Sequence, residues 1–225
     1  MATDGAYPGT QRPSSTDPNA SDIGRETAVI DDPVDQLADV LDVTGDLVAA
    51  VPDDRWDAAT PCAGWSVRDL VNHLVFGNYL VAGVVMGVPV PPPADRRQEQ
   101  GIDRLGDDPV AAFRKSALAL VAALRPPEVM TRTFAMPVGT VPGVAVLHLR
   151  LTETLVHGWD LARAIGRPAP FAPDLAEQEL EFSRDRLGDL PPDRSPFAAP
   201  KPVADDAPAL DRLAALLGRD VTGSS

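Results

Sequence analysis

The chain has 225 residues, 44% hydrophobic and 24% charged, enough for one well-buried domain with tails or for two small ones. Its 20 Lys and Arg against 33 Asp and Glu leave a formal charge of −13 and a pI near 4.5, with no basic cluster anywhere. Binding to a phosphate backbone needs a concentrated basic face, so no nucleic acid is expected as a partner.

The only cysteine, Cys62, excludes an internal disulfide. The opening "MATDGAYPGTQRPSSTDPNASD" has no basic segment followed by an apolar one, so no signal peptide is expected. The longest uncharged run, "LVFGNYLVAGVVMGVPVPPP", is broken by Gly77, Asn78 and the prolines from Pro89 onward. Its apolar part is shorter than the ~20 residues that a bilayer requires, which predicts a buried helix and no membrane span. A reducing, cytoplasmic setting is expected. Lys115 and Lys201 are the only lysines beside many arginines, a bias of GC-rich bacterial genomes.

Residues 1–28 are polar, rich in Ser, Thr, Pro, Asp and Gly, and read as a disordered tail, leaving residues 29–220 as the folded domain. A first helix follows "DDP": Asp32 caps it, Pro33 suits the first position, and Leu37, Val40, Leu41, Val43, Leu47 and Val48 form its apolar stripe. Ser66 with Asp69 three residues on predicts a capped start for a second helix running to about Gly87. A third is expected from Asp108 and Pro109, with Phe113, Leu118, Leu120, Val121 and Leu124, stopping at Pro126–Pro127. "TRTFAMPVG" alternates like one short strand or extended link, too little for a sheet. A fourth helix enters after Pro142–Gly143 and leaves at Gly166–Pro168. Shorter ones are expected at about 173–187 and 208–219, the latter after the Pro-rich connector "LPPDRSPFAAPKPV". Four long helices with apolar stripes predict an all-α fold built on a four-helix bundle.

The fourth helix carries the chemistry. In "LRLTETLVHGWDLARAIG", Glu153 and His157 stand four residues apart, on adjacent turns of one face, close enough to share an ion. His73, among Leu70, Leu74 and Phe76 on the second helix, is the third candidate ligand, because bundle cores bring facing helices to a common point. His148, nine residues before His157, is about half a turn out of phase and is excluded. A zinc-protease HExxH is absent. Asp160 reads either as an acceptor orienting a ligand or as a surface partner of Arg163 or Arg150. Cys62 reads as a small packed residue rather than a ligand or nucleophile, and Trp65 and Trp159 as core or pocket wall. Asn72 and Asn78 receive no role. Arg184, Arg186, Arg212 and Arg219 are candidates for an anion contact.

"TPCAGWSVRDLVNHLVFGN" and "ETLVHGWDLARAIGRP" resemble the two metal-binding segments of the mycothiol-dependent maleylpyruvate isomerase N-terminal domain family, within the wider DinB/YfiT-like four-helix proteins. "PFAAPKPVADDAPALDRLAALLGR" resembles the ending of an actinobacterial subgroup of metal-binding proteins. The resemblance covers residues 33–220 and implies a divalent metal, usually zinc with nickel as an alternative, held by His73, Glu153 and His157. It also implies mycothiol as cosubstrate: the open position of a three-ligand ion would activate its thiol toward a small-molecule electrophile. Spacing by itself selects neither thiol nor water. The short, Pro-rich last third departs from the isomerases, so maleylpyruvate itself is not the expected substrate. The competing expectation is a non-catalytic metal-binding module for regulation or association. A homodimer is compatible with either reading.

Overall fold

A helix leaves its first N–H groups without partners, and short polar side chains just ahead of the apolar stripes supply them. The computed structural model describes Met1, residues 32–92, Asp95, and residues 101–137, 139–188 and 197–222. Apart from Met1, the tail expected over residues 1–28 lies outside the described residues, as do residues 190–196 of the connector.

Helix α1 spans Pro33–Ala49, with Asp32 Oδ1 accepting from the Val34 amide at 2.9 Å. Helix α2 spans Val67–Val85 and starts at a reciprocal cap: Ser66 accepts from the Asp69 amide, while the Asp69 carboxylate accepts from the Ser66 amide. Helix α3 spans Pro109–Leu124 behind Asp108, which accepts from the Ala111 amide. One helical turn, α4 (Glu128–Thr131), leads to strand β1 (Thr133–Met136), strand β2 (Gly139–Pro142) and helix α5 (Gly143–Ala164). Helices α6 (Pro173–Gly188) and α7 (Ala209–Leu216) follow.

β1 and β2 pair antiparallel, Thr133 opposite Pro142 and Met136 opposite Gly139. This corrects the expectation of a lone strand or link. Gly139 has φ +121°, a conformation L side chains rarely adopt, and it allows the chain to return along β1. Phe134 plugs the hairpin into the core.

α1 packs on α3 and α5, and α2 packs on the same two, so the four long helices close a bundle. Leu37 and Leu41, Leu70 and Leu74, Phe113 and Leu120, and Leu147, Leu151 and Leu155 fill its centre. The all-α four-helix bundle predicted from the stripes is the observed architecture. α6 and α7 pair with each other and lie against α5. Among the described residues, no helix is long and apolar enough to cross a membrane.

Candidate metal centre

α2 and α5 present facing stripes at the three- and four-residue steps of a helix: His73, Phe76, Gly77 and Leu80 on one, Val146, Arg150, Glu153 and His157 on the other. They line a cavity of about 510 Å³. Cys62 and Trp65 from the turn ahead of α2, Met136 of β1, and Phe197 and Arg219 of the C-terminal segment complete its walls. The three residues expected as ligands thus border one space. The rings of His73 and His157 are 5.0 Å apart between centroids and inclined by 76°. Trp65 covers both, 4.7 Å from His73 and 5.9 Å from His157.

Burial, and behind it the charges of His157, Arg150 and Arg219, holds His73 well below the ordinary imidazole pKa. It is therefore neutral, the form in which an imidazole ligates. His157 directs Nδ1 to the buried Asp160 carboxylate, 3.1 Å from Oδ2. With the proton on Nδ1, its Nε2 carries the lone pair.

Asp160 is the hub of the outer layer. Its Oδ2 accepts from Arg219 Nη2 at 2.9 Å and from the Cys62 thiol at 3.0 Å, and both its oxygens lie 3.3 Å from Arg219 Nε. Burial pushes the Asp160 pKa up, but the hydrogen bond and charge of His157 and then those of Arg219 outweigh it, and the carboxyl stays below its usual range. The partner of Asp160 is thus neither Arg163, which reaches Asp211, nor Arg150. Cys62, expected as a packed residue with no base beside it, has both Asp160 and, at 3.8 Å, His157 Nδ1 as neighbours. Burial and the Asp160 charge push its thiol up to about 12, against the pull of Arg219, so the thiol stays protonated.

Among the described residues, the group whose ligand atoms all lie within 4.8 Å of one another is Cys62, His157 and Asp160. His157 thus borders both this group and the cavity lined by His73 and Glu153. Arg219 Nη2 is 2.9 Å from Asp160 Oδ2, 3.2 Å from Cys62 Sγ and 3.4 Å from His157 Nδ1. A guanidinium stands beside a carboxylate of each set of residues, Arg219 at Asp160 and Arg150 at Glu153. His73, His157 and Glu153, which line the cavity, are residue types that zinc takes.

Glu153 has a partner that the sequence did not suggest. Arg150 donates from Nη1 to Glu153 Oε2 at 3.0 Å, from Nε to Asn78 Oδ1 at 2.9 Å and from Nη2 to the Leu74 carbonyl at 3.0 Å. Its side chain is fully buried, whereas that of Glu153 is 33% exposed. Asn72 serves elsewhere: it accepts from the Arg104 amide and donates to the Ile102 carbonyl, fastening the loop ahead of α3. Of the four arginines considered for an anion contact, Arg219 alone lines the cavity. Arg212 pairs with Glu177 and Arg186 lies over Phe182. His148 turns to the other side of α5, with Nδ1 2.7 Å from Glu179 Oε1.

The family described as the mycothiol maleylpyruvate isomerase N-terminal domain matches residues 37–162, which contain His73, Glu153, His157 and Asp160 but not Arg219. The uncharacterized protein Rv0738 of Mycobacterium tuberculosis is 38% identical over 178 residues, covering 78% of this chain and 91% of that one. A second protein of that organism, the uncharacterized Rv0036c, is 28% identical over 165 residues, 61% of this chain and 60% of its own. The crystal structure of the mycothiol-dependent maleylpyruvate isomerase superposes with a TM-score of 0.56 at 16% identity, over 66% of each chain, a likeness of fold. With more than half of its length matched by the domain and a relative this similar over most of both chains, the protein belongs to the mycothiol maleylpyruvate isomerase N-terminal domain family.

Proposed function

We propose that the protein is a metal-dependent enzyme that activates a low-molecular-weight thiol, mycothiol, for attack on a small electrophile, as a thiol transferase or an isomerase-like catalyst. His73, Glu153 and His157 are the proposed ligands and zinc the proposed ion. The observation that carries this reading is the placing of two imidazoles from different helices 5.0 Å apart on one cavity that Glu153 also lines.

Bound there, a zinc-class ion supplies a positive charge that lowers the pKa of a thiol or water at its open position. The remaining work belongs to the chain. Asp160 keeps the proton of His157 on Nδ1 and leaves the lone pair on Nε2. Arg219 neutralises Asp160 from the outer side, and Arg150 neutralises Glu153. With both carboxylates paired, the two protein charges on each side cancel and a bound dication is left uncompensated. A cavity of that charge would favour the thiolate form of a bound thiol over the neutral thiol. Phe76, Leu80, Val146 and Phe197 provide apolar walls that accept the body of an organic substrate and exclude water from the thiol. The family assignment supports a thiol over water, since the domain is named for a mycothiol-dependent isomerase.

Cobalt substitution tests the reading. Adding mycothiol to the cobalt-loaded protein is expected to produce a sulfur-to-metal charge-transfer band, and metal is expected to raise the melting temperature by mass action, by about 2.7 kcal/mol of stability at a hundred times Kd. A spectrum that saturating thiol leaves unchanged refutes thiol activation.

A further inference from the structure

Gly77 sits in the middle of α2, where alanine would make the more stable helix because glycine gives up more backbone freedom on folding. The reason for a glycine is visible on α5. A Cβ on Gly77 would stand 2.5 Å from Nη1 of Arg150 and 3.1 Å from its Cζ. The guanidinium fills the space that a side chain would take.

Arg150 is seated in a notch of α2. Gly77 is its floor, and the Leu74 carbonyl and the Asn78 amide oxygen are its sides. Asn78 is held in turn, its Nδ2 donating to Ser116 Oγ of α3 at 2.9 Å. A guanidinium keeps its charge even when enclosed, and an enclosed charge persists only beside a partner of opposite sign. That partner is Glu153, bonded through Oε2.

The geometry points to the notch as a positioning device: Gly77 and Arg150 fix the Glu153 carboxylate so that Oε2 is occupied and Oε1 is presented to the cavity beside His73 and His157. The value of that presentation to an ion rests on the metal reading above. α2 thus shapes the centre twice, through His73 directly and, one turn on, through a missing side chain. An ordinary close crossing of two helices would set Gly77 against an apolar residue or backbone; here it meets the tip of a cation bonded to a cavity carboxylate.

The full chain and three variants, Gly77→Ala, Glu153→Gln and the two combined, provide the test. Zinc affinity is measured by competition with a chromophoric chelator. Gly77→Ala is expected to weaken binding about ten- to a hundredfold, the range for partners that orient a ligand. Gln retains an oxygen, so residual affinity stays measurable, and the combined variant is expected to bind no more weakly than Glu153→Gln alone, because both changes act on one carboxylate. Parent-like affinity in Gly77→Ala, or additive losses in the combined variant, overturns the proposal. The clash is with the end of a flexible side chain, so Gly77→Ala is expected to fold, which metal-free melting checks. A second measurement is independent of metal: solvent exchange of the Arg150 Nε–H, followed by nitrogen NMR in the metal-free protein. Gly77→Ala is expected to speed it about tenfold, the worth of one intramolecular hydrogen bond. Unchanged exchange overturns the notch. A parent that takes up no zinc refutes the metal reading instead, and the exchange rates then decide the notch by themselves.

Discussion

On the side of α5 turned to α6, the fully buried Glu179 accepts from the Thr152 hydroxyl at 2.8 Å and has His148 Nδ1 at 2.7 Å, while Ser183 Oγ lies 3.5 Å from Thr152 and Phe182 stacks on His148. On the side turned to α2, Arg150, Glu153, His157 and Asp160 use the same chemistry of carboxylate, imidazole and hydrogen-bond donor. The first network closes on itself between two helices. The second closes only at its outer edge, through Arg219 and Asp160 and through Arg150 and Asn78, and ends at a cavity of about 510 Å³. A carboxylate and an imidazole on a helix therefore do not by themselves mark a site. A network whose inner groups end at open space does.

This contrast predicts opposite responses. His157→Ala is expected to have the largest effect, removing together a proposed ligand and the group that Asp160 holds by a hydrogen bond. Zinc affinity should fall by more than about a hundredfold, beyond the range for outer partners, with the metal-free fold retained. Chelator competition and circular dichroism read the two quantities. Glu179→Ala on the closed side should do the reverse. It strips the acceptor from the Thr152 hydroxyl and from His148, each unmet partner costing about 1–3 kcal/mol. Denaturant unfolding should therefore show a loss of roughly 2–6 kcal/mol with zinc affinity unmoved. A Glu179→Ala protein of lower zinc affinity and parental stability would erase the distinction between the two faces.

A smaller loss is expected from Asp160→Asn. The amide keeps the shape but removes the charge that Arg219 neutralises and that His157 donates to, and zinc affinity should drop about ten- to a hundredfold, or about 1.4–2.7 kcal/mol. Titration calorimetry distinguishes this from no change, which would mean that His157 holds its orientation without the carboxylate. Ten-to-a-hundredfold loss in Asp160→Asn against a larger loss in His157→Ala would rank the layers of the centre from the inside out.

The same contrast explains what could be read from the sequence. The starts of α1, α2 and α3 were legible because Asp32, Ser66 with Asp69, and Asp108 act within three residues of themselves. The hairpin was not, because β2 is short and its Gly139 and Pro142 read as punctuation ahead of α5. Glu153 and His157 were legible from helical phase alone. Phase also placed Arg150 on that face, three residues before Glu153, but fully buried arginines are rare, so it read as a surface partner for Asp160. Its burial depends on Gly77, which the sequence shows only as a break in an apolar run. Arg219 carries no local signal: it lies 59 residues from Asp160 and outside the matched domain, and only the folded C-terminal segment delivers it. Glu153 is paired with Arg150. Its presence on the face is therefore accounted for by the ion pair, and the case for an ion rests on the two imidazoles.

The smallest effect is expected from His148→Ala, the variant that most directly sharpens the contrast. The change removes one of the groups on Glu179 and a ring stacked 4.7 Å from Phe182, while the Thr152 hydroxyl still donates to the carboxylate. The His148 side chain is 18% exposed, so water entering from the surface replaces part of what is lost. The expected cost is about 1 kcal/mol, near the net worth of one hydrogen bond, measured by denaturant unfolding. Zinc affinity should stay within about twofold of the parent, because His148 lies about half a helical turn from the cavity stripe and shares no partner with it. A tenfold fall would show that the α6 side of α5 does hold the ligand side in register, and the two faces would then be one network joined through the helix backbone.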